Sequence, residues 1–318
     1  MPLLNTDTGI ACPDRESNAH QGTIISPPVL PLDHPVRLSI TLSFLLVAAS
    51  GSAQKVSEFL PDLIATVKTF NDARTDARRD SLSERINAGL HLVLQADDAF
   101  KADLTSLPLS RVDAPDGKFR LITWNVPYED GTFSFHGLLA VQDENREVVH
   151  ELHDHDTHPT LPLTKKLAPA NWFGALYYTV IPNTIGKRTY YTLLGWRGHS
   201  LIETRKVIDV LTFNGPTPTF GATIFDDGKL KHSRKIFGYN AQGSMSLKYD
   251  APNKAIVFNH LAPIQQEFAG KPELLGADLS FDAYVWYRNE WRFLRDVDAR
   301  NMDLTRPSKR PPPAPGKP

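Results

Sequence analysis

Hydrophobic positions between residues 56 and 104 recur at the three- and four-residue spacings of one helix face. The first stripe consists of Val56, Phe59, Leu60, Leu63, Ile64 and Val67, and the second of Leu82, Ile86, Leu90 and Val93. The segment between them is dense in alternating charge, and either Asp80 or Ser81 is placed to cap the second helix. The pattern therefore predicts a helical hairpin within residues 54–108.

After Pro108 the pattern changes to short runs of β-branched and aromatic residues separated by turn signals. Three dipeptides stand between such runs and predict hairpins: Asp130-Gly131, Asp227-Gly228 (between Thr223–Phe225 and Lys229–Phe237) and Arg288-Asn289. The spacings leave no room for crossover helices, so the strands should pair antiparallel. We therefore expect an α+β fold, mainly antiparallel β, in which residues 109–303 form a β-sandwich or a strongly curved barrel-like sheet.

The two ends of the chain are predicted to lie outside this fold. Residues 37–49 consist of a single cation, Arg37, followed by an apolar run, and small residues follow as far as Ala53. This pattern is typical of a secretory signal peptide over residues 36–53, cut after Ala53, with a buried helix as the alternative. We expect residues 1–53 to be leader and signal peptide, and the protein to be exported to the periplasm or outside the cell. The basic, Pro-rich segment 304–318 is predicted to be disordered.

Composition and charge narrow the classes of function. The 318 residues are 41% hydrophobic and 22% charged, which is typical of a folded, water-soluble domain. The formal net charge of −1 gives no sign of a nucleic-acid partner. The chain has one cysteine, Cys12, which excludes an intramolecular disulfide and a cysteine-based zinc site. The motifs of common serine hydrolases, P-loop enzymes and dinucleotide-binding enzymes are missing from the sequence.

Several stretches of the β region resemble an uncharacterised family of exported, β-rich proteins from Bacteroidota. The matching stretches are Asp116–Asn125, Tyr190–Trp196, Arg205–Phe213, Met245–Asp250, Ile256–Pro263 and Asp296–Asn301. Together they extend over most of residues 54–301, and their order along the chain is specific. The resemblance implies a signal peptide, a helical N-terminal part and a β-rich body. It implies no activity, substrate or catalytic residue.

The stretch HELHDHDTH, residues 150–158, is the most concentrated group of metal-ligating side chains. His153 and His155 would share one face of a strand, with His158 close by, and imidazole with carboxylate suits zinc and other divalent metals. The spacing resembles the His-x-His-x-Asp-His pattern of metallo-β-lactamase-like hydrolases, but Thr157 stands at the aspartate position. We favour a polar loop and no cofactor, with a divalent metal such as zinc as the alternative.

Two aspartates, Asp209 and Asp282, stand inside apolar runs, where an unpaired charge would be unfavourable. Such residues either bond to the backbone or to an arginine, for which Arg300 is a candidate, or act as catalytic carboxylates. His260 follows another apolar run and is interpreted as a hydrogen-bonded structural imidazole rather than as a base.

Aromatic residues in the predicted strands offer a further kind of site. Trp124, Trp196 and Tyr191 are candidates for stacking on a sugar ring, although strand aromatics most often belong to the core.

Two hypotheses follow for the function. The first is an exported, β-rich, non-catalytic module that binds a glycan or another envelope partner, with no transmembrane span in the mature chain. The second is a secreted hydrolase of glycan or ester bonds, acting through paired carboxylates or a His/Asp metal site. An aromatic groove without convergent acid or base favours the first, and two carboxylates in one deep pocket favour the second.

Overall fold

The computed structural model describes residues 54–143, 146–154, 162–228 and 230–298. It confirms the predicted helical hairpin, with α1 at Val56–Asn71 and α2 at Asp76–Leu94. The predicted cap of the second helix was wrong, because α2 begins at Asp76 with Thr75 at the N-cap position. Asp80 instead accepts a hydrogen bond from the Tyr128 hydroxyl at 2.9 Å.

Fifteen strands follow the helices in the described part of the chain. Their bounds are β1 Ser110–Asp113, β2 Phe119–Pro127, β3 Phe133–Asp143, β4 Arg146–His153, β5 Leu176–Ile185, β6 Arg188–Gly198, β7 Glu203–Asn214, β8 Thr217–Phe220, β9 Phe225–Asp226, β10 Lys231–His232, β11 Lys235–Asn240, β12 Leu247–Asp250, β13 Ala255–Pro263, β14 Leu275–Tyr287 and β15 Glu290–Leu294. Between strands, helical structure in the described residues is limited to three 3₁₀ turns, at Pro169–Asn171, Gln266–Phe268 and Pro272–Leu274.

The strands form three sheets. The first has the order β1-β2-β3-β4, the second β11-β7-β6-β5 with β8 beside β7, and the third β10-β9-β15-β14-β13-β12. The strand pairs are antiparallel except that β15 and β9 run parallel, with Trp291 beside Phe225. None of the three sheets closes on itself in the described residues. The prediction of an α+β fold dominated by antiparallel sheet is therefore confirmed.

Two of the three predicted hairpins have the expected form. β2 and β3 turn through Gly131, whose φ of 83° is available to glycine without a Cβ clash. β14 and β15 turn through Arg288 and Asn289 with φ values of 49° and 70°. This is the paired left-handed conformation of tight hairpin turns, which asparagine tolerates well.

The third hairpin departs from the prediction. β9 and β10 pair around the turn that contains Gly228, but the single strand expected over Lys229–Phe237 is divided. Its second half, β11, pairs with β7 in another sheet. The division occurs at Ser233 and Arg234, which are fully buried, because the Arg234 side chain turns into the interior to meet a carboxylate.

Apolar side chains assemble three clusters between these layers. The first joins the helical hairpin to one face of the first sheet, for example Ile86 and Leu90 with Ile122. The second lies between the first and second sheets. The third brings side chains of β7, such as Ile208, together with Phe258 of β13 and other side chains of the third sheet. A cleft opens beside this third cluster.

Candidate functional site

The cleft has a volume of about 320 Å³ and lies where β11 of the second sheet meets β13, β14 and β15 of the third. Its size is at the lower end of the range usual for small-molecule sites. The lining residues are Asp227, Lys235, Phe237, Phe258, Asn259, His260, Leu261, Asp282, Tyr284 and Phe293. Apolar rings and ionisable groups therefore share one concave surface.

Strand register explains why the aromatic residues meet. Phe258 pairs with Asp282 across β13 and β14, and Tyr284 pairs with Phe293 across β14 and β15, so these side chains share one face of the sheet. The ring centroids lie 5.7 Å apart for Phe258 and Tyr284, and 5.6 Å apart for Tyr284 and Phe293. Phe237 reaches across from β11, with its centroid 4.7 Å from that of Phe258. Together these rings form an apolar wall.

His260 and Asp282 form a hydrogen-bonded pair in this cleft. The Nδ1 atom of His260 lies 2.7 Å from Oδ2 of Asp282, and the Asp296 backbone N–H donates to Oδ1 of the same carboxylate at 3.0 Å. The Asp282 side chain is 5% exposed and that of His260 is 25% exposed. With Nδ1 directed at the carboxylate, Nε2 is the nitrogen that faces outward to accept or donate a proton.

A β-bulge lies directly beside this pair. The ladder between β13 and β14 changes register at His260, opposite residues 278–280. Asp278 closes the bulge, since its Oδ1 accepts hydrogen bonds from the Ser280 backbone N–H at 2.8 Å and from the Ser280 hydroxyl at 2.6 Å. Bulges of this kind turn a side chain to a new direction and are frequent next to active sites.

Asp227 is the centre of a second polar group in the cleft. Its carboxylate accepts hydrogen bonds from the Tyr284 hydroxyl at 2.6 Å and from the Lys235 ammonium, and His232 Nε2 lies 3.3 Å away. Burial, followed by the hydrogen bond to Asp227, raises the pKa of Tyr284 well above its ordinary value, so the phenol stays protonated. Burial, followed by the Lys235 charge, lowers the pKa of His232.

Asp209, the other candidate catalytic carboxylate, lies away from the cleft. It is completely buried in β7, and Nε of the equally buried Arg234 donates to it at 3.2 Å. The Tyr177 hydroxyl and the Val210 backbone N–H also donate to it, at 3.4 and 2.8 Å. Its arginine partner is thus Arg234, whereas Arg300 lies outside the described residues.

The three aromatic residues considered for sugar stacking are placed elsewhere in the molecule. Trp124 is 4% exposed, stacks on His136, and donates its indole N–H to the Ser83 hydroxyl at 2.8 Å. Tyr191 is 3% exposed and donates its hydroxyl to Asp116. Trp196 is half-buried and packs edge-on against a phenylalanine of β3. None of the three lines the cleft.

The histidine-rich stretch is described only in part. His153 is exposed at the end of β4, while His155 and His158 lie outside the described residues. Asp154, within the same stretch, forms a buried ion pair with Arg197 at 2.9 Å and accepts the Gly174 backbone N–H. Among the described residues no group of three or more His, Cys, Asp or Glu side chains is arranged to hold a metal ion.

Sequence reasoning identified part of this site. In the sequence, Asp282 and His260 are polar residues in or beside apolar runs, but no pattern predicts their contact. Asp227 was assigned to a turn, and Lys235, Phe237 and Phe293 carried no distinguishing signal. The useful signal was the interruption of apolar strands by ionisable side chains, because such a residue needs a partner.

The chain matches no protein-family model, no curated protein and no solved structure. In the part that the structure describes, no helix is both long and apolar enough to cross a membrane. The functional proposal therefore rests on the side chains of the cleft.

Proposed function

We propose that this chain is an exported, β-rich binding protein that holds a small ligand of the glycan class in the cleft. The signal-peptide pattern of residues 36–53 supports export, and the resemblance to exported Bacteroidota proteins points the same way. We also propose that the second and third sheets pack face to face as a sandwich. Supporting this arrangement, Ile208 and Val210 of β7 share a cluster with Ile256 and Phe258 of β13.

One observation carries the choice of ligand: an aromatic wall and a set of hydrogen-bonding groups line the same concave surface. A sugar ring has an apolar face of C–H groups and a rim of hydroxyls, so it needs both kinds of contact. Phe237 and Phe293, which are half-buried, would cover the apolar face. Lys235 and His260 would bond to the hydroxyls.

The binding proposal is tested by isothermal titration of the purified protein with neutral xylo-, cello- and manno-oligosaccharides and with the peptidoglycan disaccharide. Phe237→Ala removes part of the aromatic wall, and we expect it to weaken binding by at least about tenfold, equivalent to roughly 1.4 kcal/mol. Phe213→Ala is the matched control, since Phe213 is an equally half-buried strand residue that packs on Phe119 and Tyr191. Equal affinity in the Phe237 variant and the wild type, or no binding to any of these sugars, contradicts the proposal.

Export is tested separately by N-terminal sequencing of the protein recovered outside the cytoplasm. Cleavage after Ala53 leaves Gln54 as the first residue. A chain that retains Met1 contradicts export through this signal.

A second candidate function, hydrolysis, is favoured by the hydrogen-bonded pair of His260 and Asp282 in the same cleft, whereas a pair of carboxylates is not available for it. Asp227 and Asp282 both line the cleft, but each carboxylate already accepts hydrogen bonds, and Asp227 is paired with Lys235. Hydrolysis by two carboxylates would require one free base and one free acid. The pair of His260 and Asp282 meets the need for a free base better, because Nε2 of His260 is not engaged by a described residue.

A further inference from the structure

His260 has one ring nitrogen engaged and the other available in the cleft. Nδ1 is bonded to Asp282, whereas Nε2 has no hydrogen bond to any of the described residues. The side chain lines the cleft and is 25% exposed, so Nε2 is open to a ligand or to water. This is the arrangement in which a carboxylate sets the tautomer of an imidazole that acts as a base.

The backbone around His260 and Asp282 also supports a functional role for the two residues. Asp296, whose N–H holds the Asp282 carboxylate, has a φ of 53°, a left-handed conformation that few residue types besides glycine, asparagine and aspartate adopt. On the opposite strand, the bulge at residues 278–280 faces His260. Bulges are frequent at functional sites, where they hold side chains in directions that regular strands do not allow.

We propose that His260 and Asp282 form a general-base pair that activates water to hydrolyse a carboxylic ester, such as an acyl group on a sugar, bound in the cleft. This inference rests on the proposed binding function, because the cleft must hold the sugar. His260 is the catalytic residue, and Asp282 is a positioning residue that acts through it.

The reaction balances without a metal or a redox partner. His260 Nε2 takes a proton from water while the water oxygen bonds to the acyl carbon and the carbonyl electrons move onto its oxygen. The Lys235 ammonium, which Asp227 holds in the same cleft, would supply positive charge to that oxyanion through a proton not bonded to Asp227. When the intermediate collapses, the bond to the alcohol oxygen breaks, and the imidazolium returns its proton to that oxygen. The products are a carboxylic acid and an alcohol, and His260 is neutral again.

The test uses the purified protein with 4-nitrophenyl acetate, 4-nitrophenyl butyrate and an O-acetylated xylo-oligosaccharide. His260→Gln removes the base, and we expect kcat/KM to fall by about 100-fold or more. His153→Gln and His150→Gln are matched controls, because they remove imidazoles outside the cleft, and both should stay within about twofold of the wild type. Asp282→Asn should lower kcat while KM stays within about twofold, as expected for a residue that orients the base.

A chemical-modification measurement on the wild-type protein makes the test independent of whether the variants fold. Diethyl pyrocarbonate acylates accessible imidazoles, and mass spectrometry reports the modified fraction of each histidine. Activity should fall in proportion to the modification of His260 and return when hydroxylamine removes the label. Activity that follows the modification of His153 instead, or survives complete modification of His260, overturns the proposal.

The outcomes separate the two proposals. If the wild type hydrolyses none of the three esters faster than His260→Gln, the general-base inference fails. Neutral oligosaccharides can still bind, and still lose affinity in Phe237→Ala, which would leave the binding function intact. If ester hydrolysis depends on His260 but no oligosaccharide binds, the base is correct and the ligand class is wrong.

Discussion

The buried ion pair between Arg234 and Asp209 offers the sharpest prediction about stability. Both side chains are 0% exposed, and Arg234 Nε donates to Asp209 at 3.2 Å. Arg234 Nη1 also donates to the carbonyl oxygens of Pro162 at 2.6 Å and Lys165 at 2.9 Å, so one guanidinium holds both β7 and the 162–165 segment. Arg234→Met keeps the apolar stem and removes the charge and these donors.

The magnitude follows from what the substitution leaves behind. Removing one partner of a fully buried ion pair costs about 3–5 kcal/mol, because the remaining charge is desolvated without compensation. For a domain of this size, that loss lowers Tm by roughly 6–20 °C. Asp209→Asn should be similarly destabilising, since it leaves the guanidinium unpaired. The loss of unfolding free energy in the double variant should be smaller than the sum of the two single losses by about 1–3 kcal/mol, because neither charge then remains.

Urea denaturation followed by tryptophan fluorescence measures these free energies. Trp172 is 0% exposed, and its indole N–H donates to the Tyr177 hydroxyl, which in turn donates to Asp209, so its emission reports on this network. If the two single losses add up to the loss of the double variant within about 0.5 kcal/mol, the two residues act independently, and the reasoning is refuted. A loss of less than about 1 kcal/mol in Arg234→Met would refute the assignment of a desolvated pair.

Two further predictions concern a half-buried imidazole and a buried phenol. Burial lowers the pKa of His136, so the unfolded chain binds a proton before the folded chain does, and the free energy of unfolding should fall as the pH drops from about 7 to about 5. His136→Gln should flatten this dependence in urea midpoints measured across that range, and an unchanged slope would contradict the assignment. Tyr191→Phe removes a 2.6 Å hydrogen bond to the Asp116 carboxylate and should cost about 1–3 kcal/mol in urea denaturation. The exposed Tyr287 provides its control, where the same change should stay within about 0.5 kcal/mol.

Local patterns predicted much of the fold. The three- and four-residue spacing around Ile86 and Leu90 indicated a helix face, and both residues are fully buried against the first sheet. The dipeptides Asp130-Gly131 and Arg288-Asn289 indicated hairpins, because the glycine and the asparagine accept the left-handed backbone of such turns. These predictions succeeded because helix faces and tight turns depend on local preferences, and no distant contact overrides those preferences at these positions.

The pattern failed where an interior contact overrode local preference. The run Lys229–Phe237 has the composition of one strand, yet Arg234 turns inward to Asp209, and the strand divides between two sheets. An arginine with a buried partner and an arginine facing water look identical in a sequence. The helix-cap prediction failed because α2 begins at Asp76, so Asp80 lies inside the helix, where its side chain bonds to Tyr128, 48 positions away.

By itself, the sequence determined the helical hairpin, the antiparallel β character of the rest, the turns at Gly131 and Asn289, and the need of Asp209 and Asp282 for partners. These properties depend on near neighbours along the chain. The tertiary structure alone decided that Asp282 meets His260 across a bulged ladder, that Asp209 meets Arg234, and that Phe237 reaches the cleft from another sheet. A change of one residue in strand register would turn each of these side chains to the opposite face, so their meeting depends on packing between distant segments.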